Sequence, residues 1–148
     1  MTKLVHITTV PMTFMFFRGQ VGYMQERGYE VHAISSPGER LDEFGRKESV
    51  PTYGVEMPRE ITPFRDLAAF AEMTRILREI DPDIVHSHTP KGGLLGMLAA
   101  TLTGVSTRIY HMRGLPLTTA TGAKRALLTA TERISCGLAH QVICVSES

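Results

Sequence analysis

Three cationic side chains, Arg59, Lys91 and Arg113, occupy positions next to the ends of regular segments of this chain. Arg59 precedes a long helical pattern, Lys91 opens another helix, and Arg113 follows a short apolar run. Arginine suits bidentate contact with phosphate or carboxylate, and lysine adds a compact positive charge. If the three converge, we expect an anionic ligand, whereas an isolated arginine means little. Arg18 is a fourth candidate, although for a residue of the first helix an exposed surface position is the favoured interpretation.

The run from Thr89 to Gly93, TPKGG, opens a helix with proline near the position where a missing amide costs least. Free backbone N–H groups there can cradle a phosphate or hydroxyl, with Thr89, Lys91 and Gly92 as the contributing residues. A second interpretation is that Gly92, Gly96 and Ala100, spaced by four, let the helix pack closely on a sheet. Both interpretations can hold together. For Lys91 alone, a role in ligand binding and an ordinary solvent-exposed position are equally favoured interpretations.

Three histidines lie in neighbouring predicted strands. His86 and His88 are two residues apart, which puts both on one strand face, and His111 lies near the end of the next strand. Zinc sites need three or four ligands with supporting partners, and neither Cys136 nor Cys144 has metal-ligand spacing. We therefore expect no metal, and interpret His88 as a hydrogen-bonding group for a ligand hydroxyl or phosphate. His86 is held by the core or is an ordinary core histidine.

These residues must be positioned by an alternation of strands and helices. Apolar β-rich runs predict strands at residues 3–10, 29–34, 51–57, 83–88, 108–114 and 141–146. Helical periodicity predicts helices at 11–28, 63–80, 90–103 and 122–138, with one short helix in the loop 35–51. Right-handed crossovers then give an α/β, Rossmann-like parallel sheet with helices on both faces. Ligands of such sheets bind beyond the carboxyl ends of the strands.

The inner faces of the two longer helices can also be predicted from spacing. The apolar positions of helix 63–80 are Phe64, Leu67, Ala68, Ala71, Ile76, Leu77 and Ile80. Those of helix 122–138 are Leu127, Leu128, Ile134 and Leu138.

The turn after the first strand reads TTVPMTFMFFRG and lacks the GxGxxG glycines that bring a backbone close to a pyrophosphate. This argues against a nicotinamide or flavin, and no cofactor is expected. The same segment, residues 11–17, holds more apolar side chains than one helix stripe needs. Core packing is the favoured interpretation. The alternative is a lipid-facing lip that includes Phe14 and Phe16.

Composition restricts the partners. The 148 residues, 43% of them apolar, suit one compact domain, and a formal net charge of +1 provides no field to attract nucleic acid. The N-terminus has no apolar signal region, and no stretch approaches the ~20 apolar residues of a membrane-spanning helix. We expect a cytoplasmic location with peripheral membrane contact at most, for which Lys124 and Arg125 are the basic candidates.

Four runs together resemble the N-terminal domain of family 4 glycosyltransferases. They are DPDIVHSHTPKGGLLGMLAATLTGV, RIYHMRGLP, the helix that carries Glu132 and Arg133, and QVICVSES. The likeness extends back through MPREITPFRDL and SSPG to the first strand and so covers essentially the whole chain. Within the family the resemblance is to bacterial enzymes that extend lipid-linked polysaccharides, such as capsule, O-antigen and protein-glycan transferases.

The resemblance implies a GT-B fold, retention of anomeric configuration and no essential metal. Residues 1–148 would form the acceptor-side domain, and a C-terminal domain outside the chain would hold the nucleotide diphosphate sugar and supply an acidic pair. Many members have His-Gly where this chain has Arg113-Gly114, at a position that lines the cleft near the donor sugar. The Arg version resembles the capsule-type subgroup, and the histidine's role is not transferred to His111. The acceptor would be lipid-linked or another glycan.

Two other functions fit the same residues. The chain could be a non-catalytic module that binds a sugar or nucleotide, or one subunit of a bipartite transferase. The last residues, Ser146 to Ser148, directly follow a strand, which suggests a cut at a domain junction. Donor sugar, acceptor and linkage are not specified by the sequence.

Overall fold

The computed structural model describes residues 1–114 and 118–145. Their six strands form one parallel sheet in the order β3-β2-β1-β4-β5-β6. The strands are β1 (Thr2–Ile7), β2 (Tyr29–Ser35), β3 (Thr52–Gly54), β4 (Ile84–His88), β5 (Thr107–Met112) and β6 (Gln141–Cys144). The order reverses between β1 and β4, where the carboxyl ends of a doubly wound sheet open a ligand crevice.

Helices cover both faces of the sheet. They are a 3-10 helix (Pro11–Phe17), α1 (Gln20–Glu26), α2 (Glu39–Glu48), α3 (Pro63–Ile80), α4 (Pro90–Leu102) and α5 (Gly122–Leu138). Successive strand residues point to opposite faces, and β1 shows this directly. Val5 packs into a core formed with α3 and α4, while Leu4 packs into a second core formed with the 3-10 helix, α1 and α2. The predicted α/β, Rossmann-like fold is confirmed.

The helix predicted through residues 11–28 is two separate helices. The 3-10 helix ends at Phe17, and α1 begins after Gly19, whose φ of 78° lies in the left-handed region. Glycine adopts that conformation without a Cβ clash, so the chain can change direction there. Phe14 and Phe17 are buried, and Met12, Met15 and Phe16 are exposed, so the segment is both core and surface.

The predicted inner face of α3 is wrong in its first half. Phe64 and Leu67 are 91% and 65% exposed, and the buried side chains are instead Ala69, Met73, Thr74, Ile76, Leu77 and Ile80. Stepping back from Ile76 by three or four residues reaches Met73 and Ala69, which places Phe64 on another side of the helix.

The predicted inner face of α5 is also wrong at two positions. Leu127 and Ile134 are 44% and 46% exposed, whereas the polar residues Glu132 and Ser135 are buried. The Tyr110 hydroxyl donates a hydrogen bond to Glu132 Oε2 at 2.8 Å, which gives the buried carboxyl group a hydrogen-bonding partner. Burial raises the pKa of Glu132 above its ordinary value.

Glycines bring α4 onto the sheet. A Cβ at Gly93 would overlap the Tyr110 ring, and one at Gly96 would overlap the Ser87 hydroxyl. The close-packing interpretation therefore holds for α4. No helix within the described ranges is long and apolar enough to cross a membrane.

Candidate functional site

The loops that follow β1 and β4 are tied together at the carboxyl edge of the sheet. The Thr9 amide donates to Thr89 Oγ1 at 3.1 Å, and the two threonine hydroxyls lie 2.7 Å apart. Thr89 Oγ1 also bonds the carbonyl of His88. These bonds hold Thr89 at a φ of 68°, a conformation that β-branched residues rarely adopt. Strain of this kind persists where the surroundings over-determine it, often at binding sites.

Gly92 does not present a free amide to a ligand. Its N–H donates to Thr9 Oγ1 at 2.9 Å, which uses the donor that had been predicted for an anion. A Cβ at this position would lie 3.0 Å from the Thr9 nitrogen, so glycine is needed for close approach of the two loops. The predicted role of the Gly92 N–H as part of an anion cradle is therefore corrected to a packing role.

Lys91 is engaged within the protein. Its Nζ lies 2.7 Å from Asp66 Oδ1 and also donates to the carbonyl of Glu60. Asp66 accepts from both the amide and the hydroxyl of Thr62, at 3.1 Å each, and so fixes the first turn of α3. Only 14% of the Lys91 side chain is exposed. The lysine therefore joins α4 to the start of α3, and its charge is already balanced.

Arg59 lies exposed in the segment between β3 and α3. Lys91 reaches the carbonyl of Glu60, the residue next to it, so this segment approaches the start of α4. Convergence of Arg59, Lys91 and Arg113 on one ligand stays a prediction.

Four imidazoles cluster on the face of the sheet that carries the 3-10 helix. In the strand register His6 pairs with His86, and His88 with His111. Ring centroids of His86 and His88 are 4.2 Å apart, and Phe17 packs 4.8 Å from His6 and 4.6 Å from His88. His88 is only 1% exposed. The sequence suggested that the His88 ring contacts a ligand directly, but the ring is too deeply buried for that contact.

Arg113 connects this cluster to the surface. Its Nε donates to His88 Nδ1 at 3.2 Å, and its guanidinium carbon lies 5.1 Å and 5.4 Å from the ring centroids of Phe17 and Phe16. Within residues 1–114 and 118–145, no carboxylate forms an ion pair with it. Burial lowers the pKa of this arginine from its ordinary value. Gly114 follows in an exposed position with open space around it.

Burial keeps the imidazoles neutral. Removal from water, followed by the positive charge of Arg113 and the neighbouring His111, lowers the pKa of His6 to about 4. Burial and the adjacent His6 lower that of His86 to about 3. The pKa of His88 is lowered furthest, first by burial and then by His86 and His6.

The same cluster has the spacing of a metal site, because ligand nitrogens of His6, His86 and His88 lie within 4.8 Å of one another. Both nitrogens of His88 already have hydrogen-bonding neighbours, His6 Nδ1 at 3.2 Å and Arg113 Nε. The adjacent guanidinium also repels a cation. The chemistry of these residues therefore fits a neutral hydrogen-bonded cluster better than a metal ion.

The four membrane-contact candidates separate into two groups. Phe14 is 2% exposed and stacks on Phe44 at 4.4 Å, so its side chain belongs to the core and is not available to a bilayer. Phe16 is 72% exposed. Lys124 and Arg125 are exposed on the first turn of α5. Whether these three contact a membrane stays a prediction.

His6, Thr9 and Phe17 contribute to the site but were not singled out in the sequence. His6 lies inside β1, and its spacing of two from the buried Leu4 is the signal that both lie on the face covered by the 3-10 helix. Thr9 meets Gly92 across 83 residues, a pairing with no local signal. In the sequence, Phe17 is one of several apolar residues in the segment 11–17 and has no distinguishing signal.

The chain has the architecture of a doubly wound α/β protein, in which ligands bind beyond the carboxyl ends of the strands. Arg113 lies at that edge and has no ion pair among residues 1–114 and 118–145. Residues 15–148 match the family model described as a glycosyl transferase 4-like domain. The chain belongs to this glycosyltransferase family.

Relatives agree with this membership. The chain is 35% identical over 146 residues to the capsular polysaccharide biosynthesis glycosyltransferase CapM of Staphylococcus aureus, covering 99% of this chain and 38% of that protein. It is 34% identical over 74 residues to the UDP-Gal:alpha-D-GlcNAc-diphosphoundecaprenol alpha-1,3-galactosyltransferase of Escherichia coli, covering 50% and 18%. The chain thus spans well under half the length of these relatives.

Solved structures share the fold at low identity. MurG of Acinetobacter baumannii has a TM-score of 0.68 at 18% identity, over 99% of this chain and 41% of that one. The spinosyn rhamnosyltransferase SpnG complexed with thymidine diphosphate has a TM-score of 0.65 at 16% identity, over 97% and 45%. The fold is that of the N-terminal half of GT-B glycosyltransferases.

Proposed function

We propose that this chain is the acceptor-side domain of a retaining glycosyltransferase in surface polysaccharide biosynthesis. In the full reaction an acceptor hydroxyl attacks the anomeric carbon of a nucleotide diphosphate sugar. A new C–O bond forms, the bond to the diphosphate breaks, and the hydroxyl proton is released. A second domain outside these 148 residues holds the donor, and the acceptor is a lipid-linked glycan at the cytoplasmic face of the membrane.

One observation carries the choice of acceptor: the Arg113 guanidinium lies near the rings of both the buried Phe17 and the exposed Phe16. Its guanidinium carbon is 5.4 Å from the ring centroid of Phe16, which is 72% exposed. Met12 and Met15 of the same segment are each about half exposed. A cation beside an exposed apolar surface suits a ligand that has a diphosphate next to a hydrocarbon chain. The relative that acts on a diphosphoundecaprenol-linked sugar supports the same chemistry.

The other cationic candidates have secondary parts in this proposal. Lys91 is balanced by Asp66 and fixes the start of α3, which keeps the exposed Arg59 segment in place. Arg113 has capacity to bind, because it has no carboxylate partner in the part of the chain that the structure describes, and the exposed Arg59 likewise has none there. Of the two, Arg113 is the one beside the exposed apolar surface of Phe16. His88 acts behind Arg113, and Thr89 and Gly92 shape the loop.

Binding of a short-chain polyprenyl diphosphate sugar to the purified chain tests the proposal. We expect Arg113→Gln to weaken binding by about tenfold or more, since a charge-assisted hydrogen bond contributes about 1.5–3 kcal/mol. Phe16→Ser should weaken binding of the lipid-linked compound and leave binding of a soluble sugar diphosphate unchanged. Phe64→Ser, at another exposed phenylalanine, on α3, is the matched control and should change neither.

Equal losses for Phe16→Ser and Phe64→Ser would contradict a specific lipid contact. Unchanged affinity in Arg113→Gln would remove the anion site on which the acceptor assignment rests.

A further inference from the structure

The neutral imidazoles beneath Arg113 form a directed chain of hydrogen bonds. Arg113 Nε lies 3.2 Å from His88 Nδ1, and His88 Nε2 lies 3.2 Å from His6 Nδ1. His88 and His6 are each 1% exposed, so water does not compete for these atoms. Because an arginine nitrogen can only donate, His88 Nδ1 must be the acceptor.

This constraint assigns the protons of both histidines. A neutral His88 that accepts at Nδ1 carries its proton on Nε2 and donates it to His6 Nδ1. His6 then carries its own proton on Nε2, a buried atom without a hydrogen-bonding partner among the described residues. The lowered pKa values of both rings are consistent with neutral imidazoles.

We propose that His88 and His6 are positioning residues: their hydrogen-bonded rings, packed against Phe17, hold Nε of Arg113 so that its terminal nitrogens point to the anionic ligand. The inference rests on the proposed function for the identity of that ligand. The orientation itself follows from the contacts within the chain.

Packing makes the arrangement rigid. Phe17 is fully buried, contacts the rings of both His6 and His88, and also lies under the guanidinium at 5.1 Å. An arginine held at Nε by one acceptor and flanked by aromatic rings loses fewer conformations when it binds a phosphate. The site is thereby preorganised for a planar, bidentate contact.

Two substitutions of His88 separate its two hydrogen bonds. His88→Asn keeps an acceptor oxygen near the position of Nδ1, whereas His88→Gln places its amide near Nε2 and loses the acceptor for Arg113. His111→Asn changes the neighbouring imidazole, whose Nδ1 has no hydrogen-bonding partner within residues 1–114 and 118–145, and is the matched control. Circular dichroism and thermal unfolding show whether each variant folds.

Nitrogen-15 spectra of labelled histidine and arginine in the 148-residue chain give the direct readout. We expect His88 and His6 to be protonated on Nε2 alone and the Arg113 Nε–H to exchange slowly with solvent. Slow exchange should persist in His88→Asn and His111→Asn and be lost in His88→Gln. Affinity for a short-chain polyprenyl diphosphate should stay within about twofold for His88→Asn and fall about tenfold for His88→Gln.

A proton on His88 Nδ1, or slow Arg113 Nε–H exchange in a folded His88→Gln variant, would overturn the proposal. Failure of the wild-type chain to bind the diphosphate would instead count against the acceptor assignment. The histidine tautomers and the Arg113 Nε–H exchange rates test the positioning role of His88 and His6 whether or not the diphosphate binds.

Discussion

Acidification should destabilise this domain well before its carboxylates are protonated, because neutral histidines are buried in its core. His6 and His86 have pKa values of about 4 and about 3 in the folded chain, against an ordinary value of 6.5. Below pH 6.5 these two histidines therefore bind protons in the unfolded chain but not in the folded chain. Stability is fully present above this pH and falls as the pH decreases toward the folded values.

The size of the effect follows from these pKa values. Each pH unit between the unfolded and folded pKa costs about 1.4 kcal/mol per group. Between pH 6.5 and pH 5 this is about 2 kcal/mol for His6 and about the same for His86, roughly 4 kcal/mol together. His88 acts in the same direction, and Glu132, whose pKa is raised by burial, acts in the opposite direction. The net loss is a large fraction of the roughly 5–15 kcal/mol typical of a domain.

Urea unfolding at a series of pH values between 7 and 5 measures this loss. The variant His86→Leu removes one titrating ring, whose Nε2 has no partner in the described part of the chain. Its loss of stability over the same pH range should be smaller by about 2 kcal/mol. Ile7→Val, at a fully buried site in β1, is the control. It should lower stability by about 1 kcal/mol at every pH without changing the pH dependence.

A free energy of unfolding that stays constant from pH 7 to pH 5 would refute buried neutral imidazoles. Equal pH dependence in wild type and His86→Leu would show that the titrating groups lie elsewhere.

Three further outcomes follow from the structure. Gly93→Ala should lower the free energy of unfolding by about 1–3 kcal/mol in urea titrations, because a Cβ would overlap the Tyr110 ring, whereas Gly28→Ala adds no contact and serves as a test of backbone strain alone. Tyr110→Phe should cost about 1–3 kcal/mol by thermal or urea unfolding, since Glu132 would lose its buried donor, and an unchanged midpoint would contradict that bond. The purified chain should transfer no sugar from radiolabelled nucleotide sugars, and measurable turnover would contradict the need for a second domain.

The order of the helices and strands could be predicted because proline and glycine residues clearly mark the ends of helices in the sequence. Asp81-Pro82 ends α3, since a residue before proline disfavours the helical conformation, and Gly104 follows the end of α4 with a φ of 75°. Both ends were predicted within one residue. The break between Phe17 and Gln20 was missed, because the apolar spacing continues across Gly19.

The site could be predicted only in part, because its contacts join distant residues. The positions of Arg113 and Lys91 at segment ends were readable, but the partner of Lys91, Asp66, is 25 residues away. A histidine at a strand end looks available to ligands until the helix that covers it is known. Phe17 provides that cover for His88, and no local pattern indicates it.

We propose that this domain binds the acceptor and that the nucleotide diphosphate sugar is held by a second domain. Equilibrium dialysis of the 148-residue chain against a short-chain polyprenyl diphosphate sugar and, separately, against a nucleotide diphosphate sugar tests it most directly. We expect the polyprenyl compound to bind at least about tenfold more tightly and to lose that advantage in Arg113→Gln. Tighter binding of the nucleotide sugar, or an advantage that survives Arg113→Gln, would contradict acceptor binding at Arg113 of this domain.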